Sequence, residues 1–482
     1  MKPIRIFHTN DLHSHFEAMP KIAHFFNRKR REFGGRETLL FIDLGDHLDR
    51  SHHLTEVSLG LANREILETS GYQSVTLGNN EGITLTKEEL NHLYQGSSYE
   101  VIVSNLRDLD TLEYPRWATP YKILRLDGLR LGMIGLTAPY REYYRLLGWQ
   151  VETAEEVLPE LVSRIAPQVD LLILLSHLGL ANDRLIAENY PEIGLILGGH
   201  SHHFLPEGEW VGNTLIAQMG RNGGHVGEVL IEPQRTKDQS LSFQISATSF
   251  SIEGEEEDER IVGLIEQYGE KAERLLEREI IYLKEGLPIH WEKESPFANL
   301  LAQSVRHWTH TEISLVNAGL LLDSLPPGSA TQKDLLRVCP HPINTCVISL
   351  RALELKEIIE EALQPVKVRQ RVRGFGFRGE ILGFPVLDGC EVVVEGGDVP
   401  KVVSLYAHGK PLSPHEEIRL GTIDMFMFLK PYHALEKDLS PEFFLPDFLR
   451  HLLAVEMHRE GALEEAWHPR FHWVEGKNRT EV

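Results

Sequence analysis

The stretch IRIFHTNDLHSH, residues 4 to 15, begins as a short apolar strand and ends in a group of polar side chains. The same change from apolar to polar recurs along the first half of the chain, in LLFIDLGD (39–46), SVTLGNN (74–80), VIVSNL (101–106), LRLGMIGLT (129–137), LLILLSH (171–177) and LILGGHSH (195–202). Helical patterns separate these runs, so the spacing predicts a layered α/β domain up to about residue 230.

Several of these runs end in Asp, Asn or His. In open α/β sheets, ligands bind in the crevice at the carboxyl ends of the strands. Each polar residue alone has an ordinary structural explanation, such as a turn, a helix cap or a core histidine. Together, five strand ends deliver carboxylate, imidazole and amide groups without a thiolate, a ligand set suited to Mn, Zn, Fe, Co or Ni. The pattern therefore predicts a metal site.

A pair of metal ions needs a carboxylate that bridges them, since a shared anion offsets their mutual repulsion, and a water that both ions can activate. Asp46, at the end of the second run, is well placed to be that bridge. We therefore expect two divalent metal ions as cofactors, held around this aspartate.

The chain is longer than one hydrophobic core normally serves, so its 482 residues predict two domains. We place the metal-binding domain at residues 1–232, a linker at 233–284 and a second domain at 285–482. The linker includes IVGLIEQYGEKAERLLEREI (261–280), whose apolar positions recur at helical spacing and predict a connecting helix.

The second domain combines helix and strand patterns. Ser295 and Pro296 open a helix, with the serine as N-cap and the proline in the first turn. LRALELKEIIEEAL (350–363) is a second amphipathic helix, and residues 366–432 are strand-like and rich in glycine. This mixture predicts an α+β domain.

The composition of the chain limits the kinds of partner that it is expected to bind. The 71 acidic and 49 basic residues give a formal net charge of -22, which argues against binding nucleic acid or anionic membrane through a broad basic face. The sequence shows no secretory signal and no membrane-spanning run, so we expect a soluble, cytoplasmic protein. Cys339, Cys346 and Cys390 lack CxxC spacing and are expected to be reduced thiols. We expect a small-molecule partner, and nothing in the sequence indicates a protein partner.

A family resemblance sharpens these expectations. The blocks HTNDLHSH (8–15), GD (45–46), GN (78–79), SH (176–177) and GHSHH (199–203) resemble, in order and spacing, the metallophosphoesterase motifs of the bacterial 5′-nucleotidase family. The resemblance implies a β-sandwich flanked by helices and a carboxy-terminal domain that recognises the nucleoside. It implies that the first metal is held by Asp11, His13, Asp46 and His202, and the second by Asp46, Asn79, His177 and His200.

The resemblance continues more weakly into the second half. SPFANLLAQSVRHW (295–308), SLVNAGLL (314–321) and CPHPINTC (339–346) follow one another as in that family's nucleoside-recognising domain. The chain is most similar to the intracellular Gram-positive branch of the family rather than to its secreted enzymes.

The largest departure lies at residues 78–83. The family usually has GNHEFD there, in which the histidine protonates the leaving group or steadies the phosphoryl group and the aspartate orients it, whereas this chain has GNNEGI. Asn79 keeps its implied metal role, but Asn80 can only donate a hydrogen bond and cannot transfer a proton. We interpret Asn80 as an uncharged catalytic donor. A replacement acid could come from His15, His52, His53 or His203, although a solvent-facing or supporting role fits each of them equally well.

The substrate residues also depart from the family. Its members follow the NxG element, here Asn317 and Gly319, with an arginine, which this chain lacks. The segment KVRQRVRGFGFRG (367–379) offers other cations, Lys367, Arg369, Arg371, Arg373 and Arg378. If the segment is extended, alternating arginines share one face and could hold phosphate; the alternative is a solvated edge strand. Phe384 and Phe426 lie where the family has two base-stacking aromatics, and core packing explains them equally well.

We therefore predict a two-metal phosphohydrolase, similar to 5′-nucleotidases, that uses metal-activated hydroxide to hydrolyse phosphate esters of nucleotides. One alternative is a phosphodiester or pyrophosphate hydrolase acting on nucleotide sugars, dinucleotides or cyclic nucleotides. A second is a nucleotide-binding sensor with little turnover, suggested by the missing histidine. The presence of all seven implied ligands favours an enzyme.

Overall fold

The structure is a computed structural model that describes residues 2–235, 241–397 and 399–475. Two compact units divide the chain, Met1–Ala272 and Glu273–Val482. The division falls within a helix, Glu259–Leu276, that covers most of the predicted connecting helix. Residues Leu241–Ser251, which the sequence placed in the linker, instead form a strand of the first unit, because they pair along their whole length with the preceding strand.

The strands of the first unit are β1 (Ile4–Thr9), β2 (Thr38–Asp43), β3 (Ser74–Val75), β4 (Glu100–Ile102), β5 (Leu106–Asp108), β6 (Ala118–Thr119), β7 (Tyr121–Leu126), β8 (Leu129–Thr137), β9 (Trp149–Val151), β10 (Leu171–His177), β11 (Ile193–Gly198), β12 (Glu209–Val211), β13 (Thr214–Ala217), β14 (His225–Arg235) and β15 (Leu241–Ser251). Its helices are α1 (Met19–Phe33), α2 (His53–Ser58), α3 (Leu61–Ser70), α4 (Asn79–Thr84), α5 (Lys87–Tyr94), α6 (Arg141–Leu146), α7 (Ala154–Ile165) and α8 (Leu180–Asn189), followed by α9 (Glu259–Leu276) at the division.

Two large sheets form this unit. One has the order β15-β14-β1-β2-β3-β4-β6 and the other the order β12-β13-β11-β10-β8-β7. The strands β1 to β4 run parallel to one another, as do β8, β10, β11 and β13. The carboxyl ends of the parallel strands in each sheet therefore point the same way, which brings the loops that follow them together.

The strand β10 shows how the sequence produces the layers. Alternate residues point to opposite faces of a strand, and every residue of β10 is buried. Ile173 and Leu175 pack in a core shared with residues of the other sheet, such as Ile6 and Ile42. Leu172 and Leu174 pack instead in a core with residues of α7 and α8. The predicted β-sandwich flanked by helices is confirmed, because a strand apolar on both faces needs cover on both.

The strands of the second unit are β16 (Glu279–Leu283), β17 (Ile313–Asn317), β18 (Gly328–Thr331), β19 (Asn344–Arg351), β20 (Pro385–Asp388), β21 (Glu391–Glu395), β22 (Lys401–Ala407), β23 (Lys410–Pro411), β24 (Glu417–Ile423), β25 (Glu442–Phe448) and β26 (Phe471–Val474). Its helices are α10 (Pro296–Trp308), α11 (Gln332–Val338), α12 (Ala352–Ala362), α13 (Pro365–Val368), α14 (Asp424–Leu429), α15 (Leu449–Glu456) and α16 (Ala462–Glu465).

The second unit is α+β, as predicted. A sheet of order β20-β17-β24-β19-β25 and a sheet of order β23-β22-β21-β26 share one core with α10, α12 and α15. Ser295 stands at the N-cap position of α10 with Pro296 after it, but its hydroxyl accepts a hydrogen bond from the His290 N–H at 3.2 Å. No helix within the described ranges is long and apolar enough to cross a membrane.

Candidate metal centre

The implied metal ligands all follow strand ends of the first unit. The strand β1 precedes Asp11 and His13, β2 precedes Asp46, β3 precedes Asn79, β10 ends at His177, and β11 precedes His200 and His202. Backbone bonds tie the first two loops together, from the Asp11 N–H to the Gly45 carbonyl at 3.0 Å and from the His13 N–H to the Asp46 carbonyl at 2.9 Å. The fold therefore brings together residues that lie far apart in the sequence.

Five of these residues have left-handed backbone conformations. The φ angles are 50° at Asp11, 45° at His13, 52° at Asp46, 73° at His200 and 57° at His202. A residue other than glycine in this region costs about 1–3 kcal/mol, and such residues concentrate at functional sites. The tight turns that require these angles aim the side chains back across the ends of the sheets.

The first ligand group contains Asp11, His13 and His202. The His13 Nε2 and His202 Nε2 atoms are 3.0 Å apart, and the latter lies 3.3 Å from Asp11 Oδ1. Two metal–imidazole bonds of about 2.1 Å that meet at a right angle place their nitrogens about 3.0 Å apart. The geometry therefore fits one cation held by both rings.

The second ligand group contains Asp46, His177 and His200. The His177 ring is completely buried; its Nδ1 atom lies 2.7 Å from the Leu44 carbonyl and its Nε2 atom 3.3 Å from Asp46 Oδ1. A carbonyl at Nδ1 fixes that nitrogen as the N–H donor, so Nε2 presents its lone pair to the site. This is the orientation that metal-binding histidines need.

Asp46 faces both groups. Its Oδ1 atom lies 3.3 Å from the His177 Nε2 atom, and its Oδ2 atom lies 3.9 Å from the His13 Nε2 atom. A carboxylate that bridges two cations presents one oxygen to each. The side chain is 4% exposed, so it is held between the groups rather than extended into solvent.

Two buried polar atoms at the centre lack hydrogen-bond partners among the described residues, Asn79 Oδ1 and His177 Nε2. Buried polar atoms without partners are rare, because each costs about 1–3 kcal/mol. Both atoms have lone pairs that a cation can accept, and both belong to the second implied ligand set. The residues present therefore fit a divalent metal.

Charge at the centre supports the same conclusion. Burial lowers the pKa of His177, but the Asp46 and Asp11 carboxylates outweigh it and raise that pKa above its ordinary value. They therefore favour a positive charge beside Nε2, which a bound cation would supply in place of a proton. Burial raises the pKa of Asp46, but the nearby His177 and His13 side chains leave it below its ordinary value. The two carboxylates favour a positive charge between them, which is the electrostatic requirement of a cation site.

Glu81 supports the centre and was missed as a functional residue by the sequence analysis. Its buried carboxylate accepts hydrogen bonds from the N–H groups of Asp46 at 3.0 Å, Leu48 at 3.0 Å and Gly78 at 2.8 Å. A Cβ at Gly78 would lie 2.1 Å from the Asp46 nitrogen, so only glycine fits there. The glutamate three residues after Gly78, the spacing of a capping box, was the signal available in the sequence.

Asn80 lies at the centre, but its side chain bonds to the protein. The Nδ2 atom lies 3.0 Å from the Leu48 carbonyl and 3.0 Å from His13 Nδ1, while the backbone N–H donates to Asp46 Oδ1 at 2.8 Å. The amide group therefore contacts His13, one of the candidate ligands. Its predicted role as a donor to substrate stays a prediction.

The four histidines considered as replacement acids lie in other contacts. His15 pairs with Glu17 at 2.8 Å, and His203 lies 2.8 Å from the Ser201 hydroxyl. The His52 ring stacks on His53 at 4.5 Å between ring centroids, and its Nδ1 atom accepts the Leu54 N–H at the start of α2. These contacts favour the supporting role for each histidine.

A tyrosine that the sequence analysis did not consider stands beside the centre. Tyr140 follows the end of β8, and the centroid of its half-buried ring lies 6.2 Å from that of His200, edge to face. Burial and the Asp46 carboxylate raise the pKa of its phenol above the ordinary value. The available signal was that β8 is another strand that ends at the same edge.

In the second unit, Asn317 and Gly319 pack against backbone. Both residues are buried; the Asn317 amide donates to the Leu382 carbonyl, and a Cβ at Gly319 would lie 2.0 Å from the Ile381 carbonyl oxygen. Asn317 Oδ1 has no hydrogen-bond partner within the described part of the chain. These contacts give both residues a structural role, whatever their role in binding.

The arginine-rich segment is not one extended strand, so that prediction was wrong. Lys367 lies in helix α13, which begins with Pro365 at its first position. Gly374, Phe375 and Gly376 have φ angles of 84°, 54° and 77°, which reverse the chain. Proline favours a helix start, and two glycines allow left-handed turns.

The arginines themselves are exposed. Arg369 forms two hydrogen bonds with Glu292, at 3.0 and 2.7 Å. Arg371 and Arg373 lie on either side of the buried Val372, and no ion pair is described for either within residues 2–235, 241–397 and 399–475. Arg378 donates its backbone N–H to His341 Nδ1 at 2.9 Å.

The aromatic candidates differ in their surroundings. Phe426 is 1% exposed and packs against Tyr432 in the core. Phe384 is 5% exposed but borders a cavity of about 440 Å³ that Arg369 also lines. Phe375 and Phe428, which the sequence analysis did not select, are 50% and 40% exposed, with centroids 6.5 Å apart and ring planes within 3°.

A β-sandwich with helices outside, carrying carboxylate, imidazole and amide ligands around one aspartate, defines the chain as a metallophosphoesterase. Residues 4–204 match the calcineurin-like phosphoesterase family, and residues 280–424 match the 5′-nucleotidase C-terminal domain family. The chain therefore belongs to the metallophosphoesterases that carry a 5′-nucleotidase C-terminal domain.

Individual relatives agree with this assignment. The chain is 38% identical over 459 residues to the uncharacterised metallophosphoesterase YunD of Bacillus subtilis, covering 94% of this chain and 99% of that protein. Its fold is similar to a 5′-nucleotidase precursor from Thermus thermophilus, with a TM-score of 0.59, 20% identity and coverage of 98% and 99%. It is also similar to the NAD nucleotidase of Haemophilus influenzae, with a TM-score of 0.68, 15% identity and coverage of 98% and 100%.

Proposed function

We propose that this chain hydrolyses phosphate esters of nucleotides at a two-metal centre. The observation that carries the proposal is the position of Asp46, whose two carboxylate oxygens face two separate groups of ligands. In this proposal the first cation is held by Asp11, His13, Asp46 and His202, and the second by Asp46, Asn79, His177 and His200. When bound, the two cations would activate a water and stabilise charge on the attacking and leaving oxygens.

The residues of the chain keep this arrangement rigid. The Glu81 carboxylate fixes the backbone of Asp46 and Gly78, and the Leu44 carbonyl fixes the tautomer of His177. Ligands that are already in place do not have to be ordered during the reaction, which lowers the barrier. Nitrogen and oxygen ligands without thiolates suit Mn, Zn, Fe, Co or Ni.

The second unit supports a nucleotide as the substrate, because it matches the C-terminal domain of 5′-nucleotidases. Phe375 and Phe428 offer a place for the base. A planar base between two rings needs about 7 Å, twice the optimal carbon–carbon separation of about 3.5 Å. The ring centroids are 6.5 Å apart and both side chains are exposed, so a small rotation opens the space.

A phosphodiester or pyrophosphate hydrolase is the second candidate. Asn80 cannot transfer a proton and its amide is bonded to Leu48 and His13, so a substrate with an acidic leaving group loses least from the missing histidine. Nucleotide sugars and dinucleotides have such leaving groups.

The test is a substrate screen on purified protein. We expect the protein to release phosphate from nucleotides with Mn²⁺, to lose activity with a chelator and to regain it when metal is added back. Comparing nucleoside monophosphates, nucleotide sugars, dinucleotides and cyclic nucleotides separates the two candidates. Tight nucleotide binding with no product after prolonged incubation would contradict the proposal and indicate a sensor.

A further inference from the structure

The strand β15 (Leu241–Ser251) lies at one edge of the seven-stranded sheet and is paired on one side only. It pairs with β14 along all 11 of its residues, without a shift of register. On its other side, β15 has no neighbouring strand and no backbone hydrogen bond within residues 2–235, 241–397 and 399–475. At about 3.3 Å per residue, this open edge is about 36 Å long.

The other edges of the two large sheets are protected against pairing with another chain. Proteins protect a strand edge by keeping it short or by placing charged residues or proline on it. The edge strand β6 has two residues and β12 has three, and β7 carries Lys122 and Arg125. The sequence of β15, LSFQISATSFS, contains no charged residue and no proline, in a chain of which 25% of the residues are charged. Its edge therefore remains available to another strand.

The side chains of β15 fit a strand with the same pattern as its own. Leu241, Phe243 and Ile245 are partly buried against the core between the two sheets, whereas Gln244 and Ser246 point to the opposite face and are exposed. When two identical strands pair antiparallel about a twofold axis, the same face of each strand lies on the same side of the sheet. A second copy would therefore continue both the apolar face and the polar face.

The two ends of β15 differ in charge. The strand begins opposite Arg235, an exposed residue that pairs with Leu241 across the β14–β15 hairpin. Just after the strand ends come Glu253, Glu256 and Glu257, which are also exposed. Antiparallel pairing of two copies brings the beginning of each strand next to the end of the other. The basic end of one copy would thus face the acidic end of the second, which favours the twofold arrangement.

We propose that two copies of this chain form a dimer by antiparallel pairing of β15 with β15, which joins their seven-stranded sheets into one continuous sheet. The arrangement is closed, because each copy uses its open edge in the pairing and leaves no equivalent edge for a third copy. The inference concerns an interaction surface and depends on neither the metals nor the substrate of the proposed function.

Sedimentation velocity of the purified chain at several protein concentrations measures the oligomeric state. We expect a monomer–dimer equilibrium without larger species. Hydrogen–deuterium exchange on the same samples locates the contact. The amides of β15 should exchange more slowly as the protein concentration rises through the Kd of the dimer, because their hydrogen bonds to the second copy form only in the dimer.

A double variant, Ser246→Lys with Thr248→Lys, tests the edge directly. Both side chains are exposed, so the folded unit should accept lysine at these positions. We expect the Kd of the dimer to rise at least about tenfold, since like charges across paired strands repel and lysine blocks an open edge. The matched control, Ser163→Lys with Gln168→Lys, adds the same charge at exposed positions at and after the end of α7 and should keep the wild-type Kd. Melting temperatures establish that each variant is folded.

Three results would overturn the inference. One is a wild type that stays monomeric at about 100 μM, well above the Kd of a specific dimer. Another is a dimer whose Kd does not change in the double variant and whose β15 amides exchange as in the monomer, because it pairs through a different surface. The third is a monomer whose β15 amides are protected at every concentration, because another part of the same chain covers the edge. If the double variant does not fold, the exchange measurement on the wild type still decides among these outcomes.

Discussion

At the scale of single residues, Asn80 shows how one substitution changes the use of a position. The resemblance to the 5′-nucleotidase family implies a histidine there that acts on the substrate. The amide found instead reaches His13 Nδ1 and the Leu48 carbonyl, both at 3.0 Å. The sequence predicted that proton transfer is lost, because an amide does not titrate near neutral pH. Only the structure shows that the amide contacts His13, a candidate metal ligand.

Replacing Asn80 tests what the position contributes. In Asn80→His we expect kcat for nucleoside monophosphates, which have poor leaving groups, to rise about tenfold or more, because general acid help is worth about 10²–10⁴-fold. The rise for p-nitrophenyl phosphate should be smaller. Steady-state kinetics with both substrates measures the ratio, and an unchanged ratio would show that position 80 does not assist the leaving group.

His8 is a buried residue that makes stability depend on pH. It is 0% exposed, and neither ring nitrogen has a hydrogen-bond partner in the described ranges. Burial lowers its pKa from 6.5 to about 3. The unfolded chain therefore binds a proton below about pH 6.5 that the folded chain does not bind. His8 thus lowers the free energy of unfolding as pH falls from about 6.5 toward 3.

The variant His8→Leu should remove this dependence. We expect the free energy of unfolding of the wild type to fall relative to the variant by about 1.4 kcal/mol per pH unit below pH 6.5. Urea denaturation at pH 7.5, 6 and 5 measures the slope. His92→Leu, at an exposed helical position of the same unit, is the control and should keep the wild-type slope. Parallel slopes for His8→Leu and wild type would contradict the prediction.

At the scale of elements, the strands of the first unit agree closely with the apolar runs from which they were predicted. The predicted runs 129–137 and 171–177 are the strands β8 and β10 without any change of bounds. Both are buried along nearly their whole length, so the apolar pattern and the tertiary environment agree. In the run at 74–80, only the two residues of β3 form a strand, because helix α4 begins among the polar residues that follow Leu77.

The segment after helix α12 agrees much less with the structure that the sequence predicted for it. Arg371 pairs with Ile381 and Gly374 with Phe377, so the arginine-rich segment forms a short hairpin instead of a strand. Phe375 lies at its turn with a φ of 54°, which is uncommon for a bulky residue. Contacts distant in sequence decide this shape, so pattern alone did not reveal it.

The hairpin gives a prediction about substrate recognition. In Phe375→Ala we expect KM for a nucleoside monophosphate to rise about tenfold, since stacking of one base is worth about 1–3 kcal/mol. KM for p-nitrophenyl phosphate should change little, because the ring at the turn is assigned to the base. Phe204→Ala, another exposed phenylalanine, is the control and should change neither value. An equal rise for both substrates would show that the hairpin does not recognise the base.

At the scale of the whole molecule, the proposed metal-binding and nucleotide-recognising residues belong to different compact units. The candidate ligands all belong to Met1–Ala272, and the aromatic and arginine residues of the hairpin belong to Glu273–Val482. The candidate metal centre holds two buried carboxylates, Asp11 and Asp46, at 0% and 3% exposure. Buried carboxylates repel each other unless cations lie between them.

Metal removal should therefore act on one unit. A chelator is expected to lower the melting temperature of the first unit, because ligand binding stabilises the folded state by about 2.7 kcal/mol when free metal is one hundred times Kd. The second unit should melt as before. Scanning calorimetry with EDTA and with Mn²⁺ measures both transitions. Equal shifts in the two transitions, or none, would contradict a metal centre confined to the first unit.

The sequence by itself predicted the layered fold from its apolar runs and a two-domain chain from its length. The candidate metal ligands followed from the resemblance of its motifs to those of the 5′-nucleotidase family. Apolar runs specify buried strands, and the polar residues after them sit at the carboxyl ends wherever the strands run parallel. Only the tertiary structure decided that Asp46 faces both ligand groups, that Asn80 bonds to His13 and that Tyr140 lies beside His200. These contacts join residues from different strands, and left-handed turns of the backbone set their directions, which no local pattern of residue types specifies.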